Sequence, residues 1–203
     1  MFSVPHESDL GMTYLLLGLL IFLGIHSVRI VADDWRTRTR ERVGPRAWKR
    51  MYSLLSVLGF FLIVWGFGQV RQMPTQLWNP PFGMRHLAAV INLGAFVLLA
   101  SAYVPGNWIK ARVHHPMVLG VGLWSMAHLL PNGNLGQVVL FGSFLLWSIL
   151  DWRACTQRDR RLGTRYLSGT AGATGITIAL GVGAWIVFTL WLHGVLIGVR
   201  PLG

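Results

Sequence analysis

The chain has 203 residues, 53% of them hydrophobic and only 12% charged, about half the charged fraction usual for a soluble domain. That balance excludes an ordinary water-soluble globule and points to a membrane protein, a class in which 24 glycines and ten tryptophans are at home. The net charge of +11 does not read as a nucleic-acid surface, because the bases are confined to loops beside apolar runs and no soluble basic domain remains.

Six apolar stretches follow in chain order, at about 11–32, 52–70, 85–104, 116–131, 135–151 and 174–199. A spanning helix needs about 20 residues. The first, second, third and sixth stretches meet that length. The fourth and fifth are shorter and are separated only by Pro131-Asn132-Gly133-Asn134, which reads as a tight transmembrane helical hairpin. The first stretch has no basic segment ahead of it and is followed by arginines, so it does not read as a cleaved signal peptide. The expected fold is all-α: a polytopic membrane helical bundle of six transmembrane helices, forming a single domain over 1–203.

The basic residues set the expected topology. Between the first and second stretches lie Arg36, Arg38, Arg40, Arg42, Arg46, Lys49 and Arg50; between the third and fourth, Lys110 and Arg112; between the fifth and sixth, Arg153, Arg158, Arg160, Arg161 and Arg165. The opposite side carries only Arg71, Arg85 and Arg200, and Arg29 lies inside the first span. This asymmetry places those three loops in the cytoplasm and the N-terminus, with Glu7 and Asp9, outside. The segment 33–50 reads either as a short interfacial helix with Trp35 and Trp48 at headgroup depth or as a solvated loop, and 152–173 reads the same way. The single cysteine, Cys155, supports neither a disulfide framework nor a multi-cysteine metal site.

Polar groups inside spans are costly, so they are the first candidates for function. His26 and Arg29, three residues apart, share roughly one helix face, although Arg29 has the alternative of snorkelling to the headgroups. His128 falls near the outer end of the fourth stretch; His115, 13 positions earlier, stands about 20 Å below it in a helix, so the two cannot ligate one ion. The topology sorts His26, His114 and His115 toward the cytoplasm and His86, His128 and His193 toward the outside, with His6 in the external tail. His193, followed by Gly194 and without a surrounding motif, suits a membrane-interface residue. Two histidines on neighbouring helices can hold a haem iron between them, given an apolar slot. Gly94, Gly120, Gly122, Gly136 and Gly142 either provide that room or serve close helix contact. No phosphate-loop, dinucleotide, zinc-protease or nucleophile-elbow motif is present, and the run 169–175 reads as the start of the sixth span.

At His26-Ser27, His114-His115-Pro116 and above all Ala127-His128-Leu129-Leu130-Pro131-Asn132-Gly133-Asn134, the chain resembles the NnrU family over about residues 12–199, including Asp151-Trp152-Arg153 and Asp159-Arg160-Arg161-Leu162-Gly163. The resemblance implies a bacterial inner (cytoplasmic) membrane protein associated with denitrification. It also implies support of nitrite and nitric oxide reductase activity, with those reductases or their maturation factors as partners. The zeta-carotene isomerases are similar to this family and imply haem b on axial histidine, with His128 as ligand and Ser125 where those enzymes have cysteine. Of His26 and His86 as the second ligand, the layering favours His86. The isoprenylcysteine carboxyl methyltransferases are more distantly similar. Their His-Pro motif compares with His115-Pro116-Met117-Val118-Leu119-Gly120, but Val118 replaces an aromatic residue and Asp159-Arg160-Arg161-Leu162 lacks their glutamate pair.

The reading that the resemblance implies is therefore a haem b protein of the denitrification system with His128 as a cofactor ligand and His86 or His26 as the candidate second. Arg29, His115 and Asn132 form a further polar set. The alternatives are a membrane methyltransferase or isomerase acting on a small or lipophilic substrate, and a cofactor-free membrane assembly partner. The lipid bilayer is expected as a partner and nucleic acid is not.

Overall fold

The computed structural model describes residues 7–202, which form helices and connecting turns and contain no β-strand. The order is α1 (Glu7–Val31), α2 (Asp33–Val43), α3 (Pro45–Val70), α4 (Met84–Tyr103), α5 (Trp108–Val113), α6 (Pro116–Leu129), α7 (Leu135–Leu162) and α8 (Ala171–Val187). The last runs on through a π-helical turn, Phe188–Leu192, into the short α9, His193–Ile197. Five of these segments are long and apolar enough to cross a membrane: Leu10–Val31, Pro45–Val70, Met84–Tyr103, Leu135–Leu162 and Ala171–Ile197. The sixth apolar helix, α6, has 14 residues. The chain is an all-α, multi-pass membrane protein.

Two helices extend well beyond their apolar stretches. α3 begins at Pro45, whose fixed φ suits the first helical position, and takes in the basic residues ahead of the apolar run. α7 runs on to Leu162 through a polar stretch rich in arginine, which forms helix nearly as readily as leucine does. The segment 33–50 resolves as the helix α2, a turn, and the start of α3; Trp35 meets Trp48 edge to face at 6.1 Å. The turn is Gly44, at φ 86° and ψ 152°, backbone that a side chain would not tolerate. His6 lies outside the described residues.

The contacts divide the chain into two compact units. The first holds α1, α2, α3 and the beginning of α7, residues 134–143. α1 and α3 run antiparallel along a seam of small residues. Gly66 lies against Leu15 and Gly11, Gly18 against Ile63, and Gly59 against Phe22, each with no room for a methyl group. This is how membrane helices associate: lipid is as apolar as a side chain, so the gain comes from close backbone approach. Val70 fills the space beside Gly136, and Phe67 meets Phe141 edge-on at 6.4 Å.

The second unit holds residues 78–133 and 144–202. Here α4 is the central helix, contacting both α6 and α8. Gly120 of α6 sits on Leu99 and the Ala95 carbonyl, Gly181 of α8 sits on Val97, and Trp185 Nε1 donates to the Ala89 carbonyl at 3.1 Å. α7 approaches α6 where Gly122 faces Ser148 Oγ and Trp124 meets Phe144 edge-on at 5.5 Å.

Candidate functional site

His128 lies in the last turn of α6. Its Nδ1 is 2.7 Å from the carbonyl of Trp124, one turn back. A carbonyl oxygen only accepts, so Nδ1 carries the ring proton and Nε2 of the neutral ring carries the lone pair. Asn132 Nδ2 donates to the His128 carbonyl at 2.7 Å and closes the helix end; this is the place of Asn132 in the structure. The Trp124 indole meets the imidazole at a tilt of 53°, ring centres 5.1 Å apart.

The histidine that meets His128 is His193. The two ring centres are 6.5 Å apart and their planes differ by 18°. His193 repeats the arrangement of its neighbour, with Nδ1 2.6 Å from the Val199 carbonyl. Gly198 makes that contact possible: at φ 75° it reverses the chain after α9 and returns the Val199 carbonyl to the ring. Phe188 stands edge-on to His193 at 5.8 Å and packs on Phe96 of α4 at 5.7 Å. One turn before Phe96 on the same face, Asn92 Oδ1 is buried without a hydrogen-bond partner.

The other sequence candidates fall elsewhere. His86, favoured above as the second ligand, is exposed in the first turn of α4. His26 belongs to the first unit, where its Nδ1 bonds the Phe22 carbonyl at 2.6 Å and its ring lies against Phe22 and Tyr52 at 4.3 and 5.2 Å. Arg29 reaches Asp33, Nε to Oδ1 3.6 Å, at an exposed position. Gly120, Gly122 and Gly136 are filled by neighbouring side chains and serve helix contact rather than leaving a slot; Gly94 has only one ordinary contact and Gly142 none within 4 Å.

A second polar cluster stands at the start of α6. His115 Nε2 is 2.8 Å from Asp159 Oδ2, and the Tyr166 hydroxyl donates to the same oxygen at 2.6 Å. His114 stacks on Tyr166 at 4.1 Å. Burial, and then the bond to Asp159, push the Tyr166 phenol up to about 12, so it remains a donor. His114 takes φ 63° and ψ −48°, a γ-turn of the strained positive-φ kind, with His115 N bonded to the Val113 carbonyl at 2.7 Å. The cluster ties the α5–α6 corner to the end of α7.

No group of three or more His, Cys, Asp or Glu side chains among the described residues is placed to share a metal ion. Two imidazoles alone suit an ion whose remaining ligands arrive with it, as in a metal-bearing macrocycle. Among known proteins, the family model described as NnrU protein matches residues 14–201. No curated protein and no solved structure matches the chain.

Proposed function

The chain belongs to the NnrU family, and we propose that it is a six-span bacterial inner-membrane protein that binds haem b through His128 and supports the nitrite and nitric oxide reductases of denitrification. The observation that carries the cofactor reading is the fixing of His128 inside an apolar helix by the Trp124 carbonyl at 2.7 Å. Metal-ligating histidines usually donate their second nitrogen in this way, which fixes the tautomer and raises the basicity of the other. The Trp124 ring lies against the imidazole and in turn meets Phe144 edge-on.

The donor chemistry fits haem. One neutral imidazole nitrogen is aimed by the backbone, the surroundings are apolar, and the ion's equatorial ligands are supplied by the macrocycle. When bound, haem supplies one-electron chemistry. The protein's part is to hold the imidazole, exclude water and carry the site within the membrane.

The bilayer reading rests on the basic residues: Arg36 to Arg50, Lys110 and Arg112, and Arg153 to Arg165 all fall on one side if α6 counts as a span. Its 14 residues rise about 21 Å, short of the roughly 30 Å apolar layer. The hairpin after it then begins within the membrane, where backbone groups must be bonded internally. Two of them are bonded to the segment before α4: the Gly133 carbonyl accepts from Trp78 N at 3.1 Å, and Leu135 N donates to the Thr75 carbonyl at 2.9 Å.

The test is complementation. A denitrifying strain lacking this protein should regain nitrite and nitric oxide reduction with the wild-type chain and fail with His128→Ala at equal membrane abundance. Full rescue by His128→Ala would favour a cofactor-free assembly partner.

A further inference from the structure

We propose that α2 and the first turns of α3 form a binding face for the phosphate headgroups of anionic phospholipids, in the leaflet at that end of the α1–α3 pair. The proposal is independent of the haem reading.

Depth is the first support. α3 has 26 residues and rises about 39 Å, roughly 9 Å more than the apolar layer. Its apolar part, from Met51 to Val70, is long enough to fill that layer, so Trp48, Lys49 and Arg50 stand in the headgroup zone. Trp35 of α2 meets Trp48 edge to face at 6.1 Å, which brings α2 to the same depth. α2 is also tied to a span at each end, to α1 through Ala32 and to α3 through Gly44. Anchored twice, it lies across the span ends rather than standing away from them.

Charge is the second. Trp35 and Arg42, seven residues apart, share one face of α2 with Arg38. Asp34 and Glu41, also seven apart, share another face, turned by about 100°. The tryptophan at headgroup depth therefore has arginines on its face, while those two carboxylates occupy the next. The segment 33–50 carries seven bases against Asp33, Asp34 and Glu41, and Asp33 reaches Arg29 at 3.6 Å. Among the described residues, none of the seven bases forms an ion pair with a carboxylate, and all but Arg36 are exposed.

The chemistry of the face selects a lipid. Six of the seven bases are arginines, whose planar guanidinium takes two phosphate oxygens at once. Directly after the bases, Met51, Leu54 and Leu55 are exposed apolar residues on α3. One anionic lipid meets both features, its phosphate on the arginines and its chains on the apolar residues. A soluble anion or an acidic protein would meet only the charge.

The test titrates full-length protein, delipidated in mild detergent, with phosphatidylglycerol or with phosphatidylcholine of the same chains. Bound lipids are counted by native mass spectrometry. Wild type should hold its first phosphatidylglycerol more tightly than its first phosphatidylcholine. Arg38→Gln with Arg42→Gln should weaken the phosphatidylglycerol by roughly 10- to 30-fold, about fivefold for each base. Phosphatidylcholine binding should not change, which also shows that the variant is folded. Arg160→Gln with Arg161→Gln removes the same charge from the end of α7 and should leave the first phosphatidylglycerol in place. Arg38→Lys with Arg42→Lys keeps the charge without the bidentate geometry and should fall between wild type and the glutamine pair; it covers the case in which that pair fails to fold. Neither inorganic phosphate nor polyglutamate should displace the lipid. Equal binding of the two lipids by wild type, an unchanged Arg38→Gln/Arg42→Gln variant, or equal loss in the two glutamine pairs would overturn the proposal. Displacement by inorganic phosphate would make this a soluble-anion site, and displacement by polyglutamate a face for an acidic protein; either result overturns it.

Discussion

Gly66 and Gly68 lie two residues apart in α3, and the structure predicts opposite outcomes for the same substitution. A methyl group on Gly66 would stand 2.7 Å from the Gly11 carbonyl oxygen and 2.8 Å from the Tyr14 carbonyl carbon, whereas one on Gly68 would meet nothing within 4 Å. Both changes gain helix propensity, about 1 kcal/mol for Gly→Ala. Overpacking typically costs roughly 1–3 kcal/mol, and the upper part of that range applies here because the obstacle is the backbone of α1 and no side chain can rotate away. Gly66→Ala should therefore destabilise by about 2 kcal/mol net, while Gly68→Ala should stabilise by up to about 1 kcal/mol. The assay is reversible unfolding of the purified protein by sodium dodecyl sulfate in mixed micelles, followed by tryptophan fluorescence. Gly18→Ala, whose methyl would meet the Ile63 backbone nitrogen at 2.6 Å, should behave as Gly66→Ala does. Equal midpoints for Gly66→Ala and Gly68→Ala would refute the close α1–α3 seam.

Three further outcomes are expected. Asn107 is 1% exposed; its side chain donates to the Ser101 and Val104 carbonyls and accepts from Lys110 N, capping α5. Asn107→Ala should cost roughly 2–4 kcal/mol, read as a lowered melting temperature in detergent. Tyr166, raised from the usual 10.0 to about 12, favours the folded state only while protonated, so its contribution is complete below pH 10 and is lost as pH rises toward 12. An ultraviolet titration should show one late phenol, absent in Tyr166→Phe; its absence from the wild type would contradict the bond to Asp159. Reporter fusions after Arg42 and Arg160 should score as cytoplasmic, and those after Pro80, after Gly133 and at the C-terminus as external; a cytoplasmic C-terminus would imply an odd number of spans.

The membrane class and the helices were legible in the sequence because they follow from local properties: apolar length and turn residues. The lengths of α3 and α7 were less so, because helix continues past the apolar boundary wherever propensity allows. The pairing of His128 with His193 was not legible. It depends on the π-helical turn after Val187 and on the positive φ of Gly198, neither of which has a periodicity signature. The Phe188 that packs against His193 looks, in sequence, like any other residue of an apolar span. Nor does composition separate Gly66 from Gly68, since both read as small residues in a span. The Asp159 partner of His115 lies 44 positions away, and only the fold shows that the two meet.

The central proposal is that this membrane protein binds haem b through His128, and the absorption spectrum of the purified wild-type protein, oxidised and dithionite-reduced, tests it most directly. The account predicts a Soret band with sharp α and β bands on reduction, near one haem per chain, lost or shifted in His128→Ala. A colourless protein, purified gently from haem-replete cells and still folded, would contradict it.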